Sequence, residues 1–199
     1  MNMQWNIETF ISVSAIIACL IGSYSIIKID WKKYGLLFIV SAIMGGIICY
    51  VFITIGFYSY PFRNFPTISR MPFDTILTSF PFLVLFSIRF SPKSWAYKIP
   101  FYMGIVHIGM LGETLCLLNT ELIQYNFKWD FWDSYTWWWI YLLLFEQIGR
   151  LIIPDHLREP IDSEAFNYGK WLFYILHFIF ILTIFLGGYY LGLVKGKSL

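Results

Sequence analysis

The chain has 199 residues, of which 58% are hydrophobic, 22% aromatic and only 13% charged, and its net charge at pH 7 is +2. A water-soluble domain carries about 25% charged residues, so this chain has too little polar material to cover a water-facing surface, and a soluble domain is excluded. Its small net charge comes from scattered residues, which argues against a nucleic-acid partner. The composition is that of a multi-pass membrane protein whose main partner is the lipid bilayer.

Six apolar stretches are long enough to cross a hydrocarbon core of about 30 Å, which takes roughly 20 helical residues. Helices are predicted because backbone groups in lipid must be hydrogen-bonded within their own segment, and these stretches are too continuous for barrel strands. In chain order the predicted spans are Ile7–Ile27, Tyr34–Phe57, Phe73–Phe90, Pro100–Gln124, Tyr135–Ile153 and Gly169–Val194. We therefore predict an all-α polytopic membrane helix bundle with about six transmembrane helices, which forms a single domain over residues 1–199.

The charged and aromatic residues at the span ends predict an orientation. All nine tryptophans lie at or near a predicted span end, where amphipathic indole rings favour the headgroup layer. The first, third and fifth connections, with the adjoining span ends, hold nine of the 14 Lys and Arg residues. By the positive-inside rule that side is cytoplasmic, and both termini are predicted to lie outside.

The cysteines and polar loops do not indicate a metal ion or a cofactor. Cys19, Cys49 and Cys116 all lie in apolar spans without CxxC spacing, which argues against disulfides and metal clusters and favours a packing role. The sequence DHLRE at 155–159 is interpreted as a charged loop, and no glycine-rich phosphate loop is present. We therefore expect no metal and no cofactor.

The fourth predicted span, which contains FYMGIVHIGMLGETLCLLNTEL, is the most polar one and carries the deepest carboxylate of the chain, Glu113. At about 100° per residue, His107 and Thr114 share one face, and Glu113 lies about 120° from His107. These polar groups avoid lipid only if the helix is central in the bundle. An ionisable group at membrane depth is a functional hypothesis by default, and a hydrogen-bonded structural role is the alternative.

The fifth span, within TWWWIYLLLFEQIGRLIIP at 136–154, carries Glu146 and Arg150 one helical turn apart. Arg150 lies about 6 Å from the span end at 1.5 Å per residue, so its side chain reaches the headgroups, whereas Glu146 is about 10 Å deep. A Glu four residues before an Arg is the favourable order for a helical ion pair. This spacing predicts a Glu146–Arg150 pair, and a ligand, ion or proton site and a protonated, passive Glu stay open as alternatives.

Three motifs follow one another between about Tyr34 and Tyr141. They are YPFRNFP with Tyr60, Pro61, Arg63 and Pro66, FDTILTSFPF with Asp74 and Pro81, and ETLCLLNTELIQY with Glu113, Glu121 and Tyr125, followed by Trp129. In this succession the chain resembles an uncharacterised family of small multi-pass membrane proteins from Gram-positive spore-forming bacteria. The resemblance implies a bacterial plasma membrane and implies no activity. For Arg63 we expect a role in pinning its proline-stiffened loop, with a ligand gate as the alternative.

The polar residues inside the spans are predicted to form one interior cluster. The candidate ligand-binding residues are His107, Glu113, Thr114, Glu146 and Arg150. The leading hypothesis is non-enzymatic and consists of the binding, with possible translocation, of a small-molecule or lipid ligand. The alternatives are an accessory or assembly protein with structural polar residues and an intramembrane enzyme with a buried Glu as general base. A homo-oligomer or a partner membrane protein stays open.

Overall fold

A computed structural model of the protein describes residues 6–126, 128–162, 164 and 170–196. The helices are α1 (Ile7–Ile27), α2 (Trp31–Ile55), α3 (Phe73–Phe90), α4 (Trp95–Asn119), α5 (Phe131–Ile152) and α6 (Lys170–Gly196). Two short strands, β1 (Tyr58–Ser59) and β2 (Gln124–Tyr125), pair antiparallel, and a 3-10 turn spans Asp155–Leu157. The predicted all-α class is confirmed.

Four helices, α1 to α4, are long and apolar enough to cross a membrane. The prediction of about six such helices is confirmed only to this extent. α5 has 22 residues, but it contains Asp133, Glu146 and Arg150 together with several tryptophans and tyrosines, which make it less apolar. The predicted start of the sixth span, Gly169, lies outside the described residues.

The connections between helices meet at two opposite ends of the bundle. At the first, which we call the strand end, β1 from the α2–α3 connection pairs with β2 from the α4–α5 connection. At the second, which we call the ion-pair end, residues 153–162 (the closing segment) cross the end of α3. There the backbone N–H groups of Glu159 and Ile161 donate to the carbonyl oxygens of Arg89 and Phe90 over 2.9 and 3.0 Å. The closing segment thereby covers the interior of the bundle at this end.

The interior of the bundle is built around α3 and α5. α3 packs against α1, α2, α4 and α5, and α5 packs against α2, α3 and α4. The two central helices approach closely at Gly149, where an added Cβ would lie 2.6 Å from Cδ1 of Ile88. Large apolar side chains remain exposed on the outer faces of α1, α2 and α4, among them Phe10, Ile21, Ile47, Ile108 and Leu118. The surface of these helices is therefore apolar.

α4 lies five residues earlier in the chain than the predicted span Pro100–Gln124. It begins at Trp95 and ends at Asn119. The backbone groups of the residues that follow form hydrogen bonds with the α2–α3 connection and do not continue the helix. The carbonyl oxygen of Glu121 accepts from the N–H of Phe62 over 2.8 Å, and β2 then pairs with β1. A helix that continued to residue 124 would lose these contacts. The earlier start places Lys98 inside the helix.

α5 also begins earlier than predicted, at Phe131 and not at Tyr135. Asp130 caps the helix with a side chain that accepts from the N–H groups of Trp132 and Asp133, and the Asp133 side chain accepts from the Asp130 N–H. This reciprocal arrangement satisfies N–H groups that have no partner within the first turn. As a result, the three consecutive tryptophans at 137–139 lie about 9–12 Å inside the helix at 1.5 Å per residue.

Candidate functional site

Glu113 of α4 lies at the strand end, where its carboxylate is held by three neutral donors. The hydroxyl groups of Tyr125 and Ser134 both donate to Oε1 over 2.5 Å, and the indole N–H of Trp138 donates to Oε2 over 2.8 Å. Ser134 and Trp138 are four residues apart and share one face of α5. The carboxylate therefore joins α4 to β2 and α5.

No cation pairs with Glu113 within the part of the chain that the structure describes. By contrast, Glu146 and Glu159 both form ion pairs with cationic side chains. A carboxylate has about four acceptor positions, of which Glu113 uses three, so one remains open. Burial, and after it the negative charge of Glu113, raises the pKa of Tyr125, so that its hydroxyl stays protonated as a donor. The site holds a half-buried negative charge with neutral partners.

A partly open cavity of about 70 Å³ adjoins the Glu113 carboxylate. Fourteen residues line it, and eight of them are aromatic. The structure describes all fourteen lining residues, and Glu113 is the only one of them with an acidic or basic side chain.

The aromatic lining of the cavity is fixed by contacts between the rings themselves. The Trp129 ring lies 5.0 Å from that of Phe52 and 5.5 Å from that of Tyr58, centroid to centroid. On the opposite part of the wall, Phe80 stacks on Trp138 with centroids 5.5 Å apart and ring planes 14° apart. Ring pairs at such separations stabilise one another. The shape of the cavity wall is therefore held by contacts within the protein.

Glu146 of α5 lies in a second polar cluster, at the ion-pair end, and is fully buried. Its Oε1 forms an ion pair with the ammonium group of Lys98 from α4 and lies 3.9 Å from Nη1 of Arg158 in the closing segment. Its Oε2 accepts from the hydroxyl groups of Tyr102 over 2.6 Å and Ser91 over 3.3 Å. Unlike Glu113, this carboxylate is surrounded by cations.

The predicted ion pair between Glu146 and Arg150 is wrong. Arg150 is exposed, and among the described residues the cationic partners of Glu146 are Lys98 and Arg158. Two physical reasons account for the difference. The earlier start of α4 brings Lys98 beside α5, and the closing segment folds back so that Arg158 reaches the same carboxylate.

The residues predicted as one interior cluster do not come together. His107 is exposed, and its Nδ1 lies 2.7 Å from a carbonyl oxygen one turn earlier in α4. Thr114 is half-buried beside Glu113 in the chain. Trp138, which binds Glu113, precedes Glu146 by eight residues, or about 12 Å along α5. The two glutamates therefore occupy separate sites near opposite ends of the bundle.

Sequence reasoning missed the main partners of both glutamates. From the sequence alone, Lys98 belongs to the connection before the predicted fourth span, and Trp138 is expected to lie in the headgroup layer. The sequence does contain an indication of the contact between Trp138 and Glu113, because Ser134 and Trp138 place two hydrogen-bond donors on one helix face. The contact between Lys98 and Glu146 depends on where α4 begins, which the sequence does not specify.

Comparison with known proteins gives no match: no family model, no curated protein and no solved structure matches this chain. The resemblance to a family of small multi-pass proteins therefore stays a prediction. Some of the residues that carry it lie at the strand end, where Tyr60 and Trp129 line the cavity and Tyr125 donates to Glu113. Arg63 in the same region donates to the carbonyl oxygen of Tyr60, as the loop-pinning role requires.

Proposed function

We propose that the chain is a multi-pass protein of the bacterial plasma membrane with six spans, α5 and α6 being added to the four most apolar helices. Exposed apolar side chains on the outer faces of α1, α2 and α4 support this proposal, because such a surface is stable in lipid and not in water. α5 contributes less apolar sequence than the others because it packs against three neighbours in the centre. Charged and polar side chains are tolerated there when they face the bundle interior.

Within that membrane protein, the proposed function is the binding of a small or amphipathic ligand in the aromatic cavity beside Glu113. This proposal rests mainly on the half-buried Glu113 carboxylate, which borders a cavity and has only neutral donors as partners in the described chain. A carboxylate in lipid that served packing alone would gain from a cation, as Glu146 does from Lys98. Pockets of this kind, apolar with a few convergent polar groups, are the usual form of ligand sites.

Glu146 and its partners are proposed to act in assembly and not in ligand binding. They join α3, α4, α5 and the closing segment through one buried carboxylate. Neither Glu146 nor Lys98 lines the aromatic cavity. The accessory or assembly hypothesis therefore applies to the ion-pair end, and the ligand hypothesis to the strand end.

Glu113→Gln tests the proposed function, with Glu121→Gln as the matched control. The Glu121 side chain is exposed at the same end of the bundle. Purified proteins would be screened for small amines, alcohols and short-chain lipids that raise the unfolding temperature, since a ligand at about 100 times its Kd stabilises by about 2.7 kcal/mol. We expect compounds that stabilise the wild type and Glu121→Gln but not Glu113→Gln. If every stabilising compound acts equally on all three proteins, the cavity is not the binding site.

A further inference from the structure

We infer that the ligand of the aromatic cavity presents a methylated ammonium group, either on a small molecule or on a lipid headgroup. This inference rests on the proposed function, because it names the class of compound bound beside Glu113. Two features of the site carry it: a carboxylate without a cationic partner in the described chain and a wall of aromatic rings.

The charge of the site favours a cation. Tyr125, Ser134 and Trp138 orient the Glu113 carboxylate with neutral groups and leave one acceptor position open. An anionic ligand would meet this carboxylate in surroundings of low dielectric constant, where like charges repel strongly. A neutral ligand would leave the negative charge unbalanced. A cation in the cavity supplies the countercharge that the described chain does not.

The aromatic wall favours a cation of low charge density. Eight of the 14 lining residues are aromatic, among them Trp129, Trp137 and Trp138. The face of an aromatic ring carries partial negative charge and attracts a cation within about 6 Å of its centroid, with tryptophan the strongest. Methyl groups on the nitrogen spread the positive charge and make apolar contacts with the same rings.

Methylation also lowers the number of N–H donors that the site has to satisfy, because each methyl group replaces one N–H of the ammonium group. The cavity is partly open, so the headgroup can lie against the aromatic wall while the rest of the ligand extends through the open side.

The experiment compares choline with dimethylbutanol, its neutral analogue, in which a carbon atom replaces the charged nitrogen. Full-length protein would be purified in a non-ionic detergent, and binding would be followed by quenching of tryptophan emission. We expect choline to bind about tenfold or more tightly than dimethylbutanol, a difference that cation–π contacts and one carboxylate supply. Glu113→Gln is expected to remove this preference, and Glu121→Gln to retain it.

A short-chain phosphatidylcholine identifies the source of the headgroup. Tighter binding of this lipid than of choline indicates a lipid ligand, and the reverse indicates a free small molecule; both results support the inference. Equal or tighter binding of dimethylbutanol by the wild type overturns the inference and leaves the proposed function standing. If choline, dimethylbutanol and the lipid all fail to bind, and the wider compound screen also finds no ligand, both the inference and the proposed function are overturned. The comparison on the wild type decides the question even if Glu113→Gln does not fold.

Discussion

Glu113 and Glu146 are held inside one helix bundle in two different ways. Glu146 has no exposed surface and contacts Lys98 and Arg158, so its charge is balanced within the protein. Glu113 is half-buried and receives three hydrogen bonds from neutral groups, which orient the carboxylate without neutralising it. The first arrangement is complete without a ligand. The second leaves a charge that a bound cation would balance.

Glu146→Gln is predicted to destabilise the protein strongly. The substitution leaves Lys98 and Arg158 buried without a countercharge, and breaking a buried ion pair from one side costs about 3–5 kcal/mol. Adding Lys98→Met to the same chain removes one of the two excess cations and is expected to recover part of that loss. Unfolding of the purified proteins in mixed micelles of increasing denaturing-detergent content measures both effects.

The control for this prediction is Glu159→Gln at the same end of the bundle. Glu159 also pairs with a cation, Arg89, but its side chain is 68% exposed. Solvent-exposed ion pairs contribute about 0–1 kcal/mol, so only a small change in stability is expected. If Glu146→Gln and Glu159→Gln lose the same stability, the buried carboxylate does not hold the ion-pair end together.

Trp138→Phe is predicted to weaken the Glu113 site while retaining its aromatic wall. The phenyl ring can still stack on Phe80, but the indole donor to Glu113 is lost, and hydrogen bonds to charged groups contribute about 1.5–3 kcal/mol. In a Glu113→Gln chain the same substitution is expected to cost about 0.5–1.5 kcal/mol, because the bond it removes there is neutral. Unfolding measurements on the wild type, the two single variants and the double variant give the coupling free energy between Trp138 and Glu113.

Trp171→Phe is the matched control, because Trp171 is 83% exposed on α6 and a surface substitution changes stability by about 0.5 kcal/mol or less. An equal loss of stability from Trp138→Phe with and without Glu113→Gln would contradict a charged hydrogen bond at this position.

At the scale of the helices, local signals in the sequence predict some boundaries and not others. Both predicted ends of α1 and α3 are confirmed. α1 begins after Asn6, whose side chain accepts from a backbone N–H in the first turn, and α3 lies between prolines at 72 and 92. The end of α4 has no comparable local signal. It is determined by the pairing of β2 with β1, residues more than 60 positions apart, which a single sequence does not specify.

The helix crossing at Gly149 is predicted to tolerate no side chain. A methyl group there would lie 2.6 Å from Cδ1 of Ile88, so α3 and α5 would separate, at a cost of about 1–3 kcal/mol for overpacking. Because Glu146 lies one turn earlier on α5, Gly149→Ala is also expected to weaken its ion pair with Lys98. Unfolding in mixed micelles measures the loss of stability.

Gly104→Ala provides the comparison within α4, because nothing lies within 4 Å of the methyl group it would add. Alanine favours a helix over glycine by up to about 1 kcal/mol, so this variant is expected to be as stable as the wild type or more so. A similar loss of stability in both variants would show that glycine flexibility, and not the close approach to Ile88, is the requirement.

At the scale of the whole molecule, the sequence predicts the class and the helices but not the division into two sites. Hydrophobic composition is a property of each segment, so the all-α class follows directly from it. The pairing of Glu146 with Lys98 and of Glu113 with Trp138 depends on which helices become neighbours. Within α5 the cation one turn from Glu146 is Arg150, whereas its actual cationic partners, Lys98 and Arg158, belong to α4 and the closing segment.

The orientation of the bundle determines which side of the membrane the cavity serves. The ion-pair end holds nine of the 14 Lys and Arg residues, and two of these charges, on Lys98 and Arg89, are balanced by Glu146 and Glu159. A majority of positive charge therefore remains at that end, which is predicted to be cytoplasmic. The aromatic cavity at the strand end is then predicted to lie toward the outer face, where it would meet ligands from outside the cell.

Single cysteines at the two ends test this orientation without changing the charge of the chain. In a protein whose three native cysteines are replaced by alanine, Thr67→Cys introduces a thiol into the exposed α2–α3 connection and Ser94→Cys into the exposed α3–α4 connection. A charged thiol reagent that does not cross membranes is expected to label Thr67→Cys in intact cells, and Ser94→Cys only after permeabilisation. The reverse pattern would place the cavity on the cytoplasmic side. Labelling of both in intact cells would mean that α3 does not cross the membrane, because these two positions lie at its opposite ends.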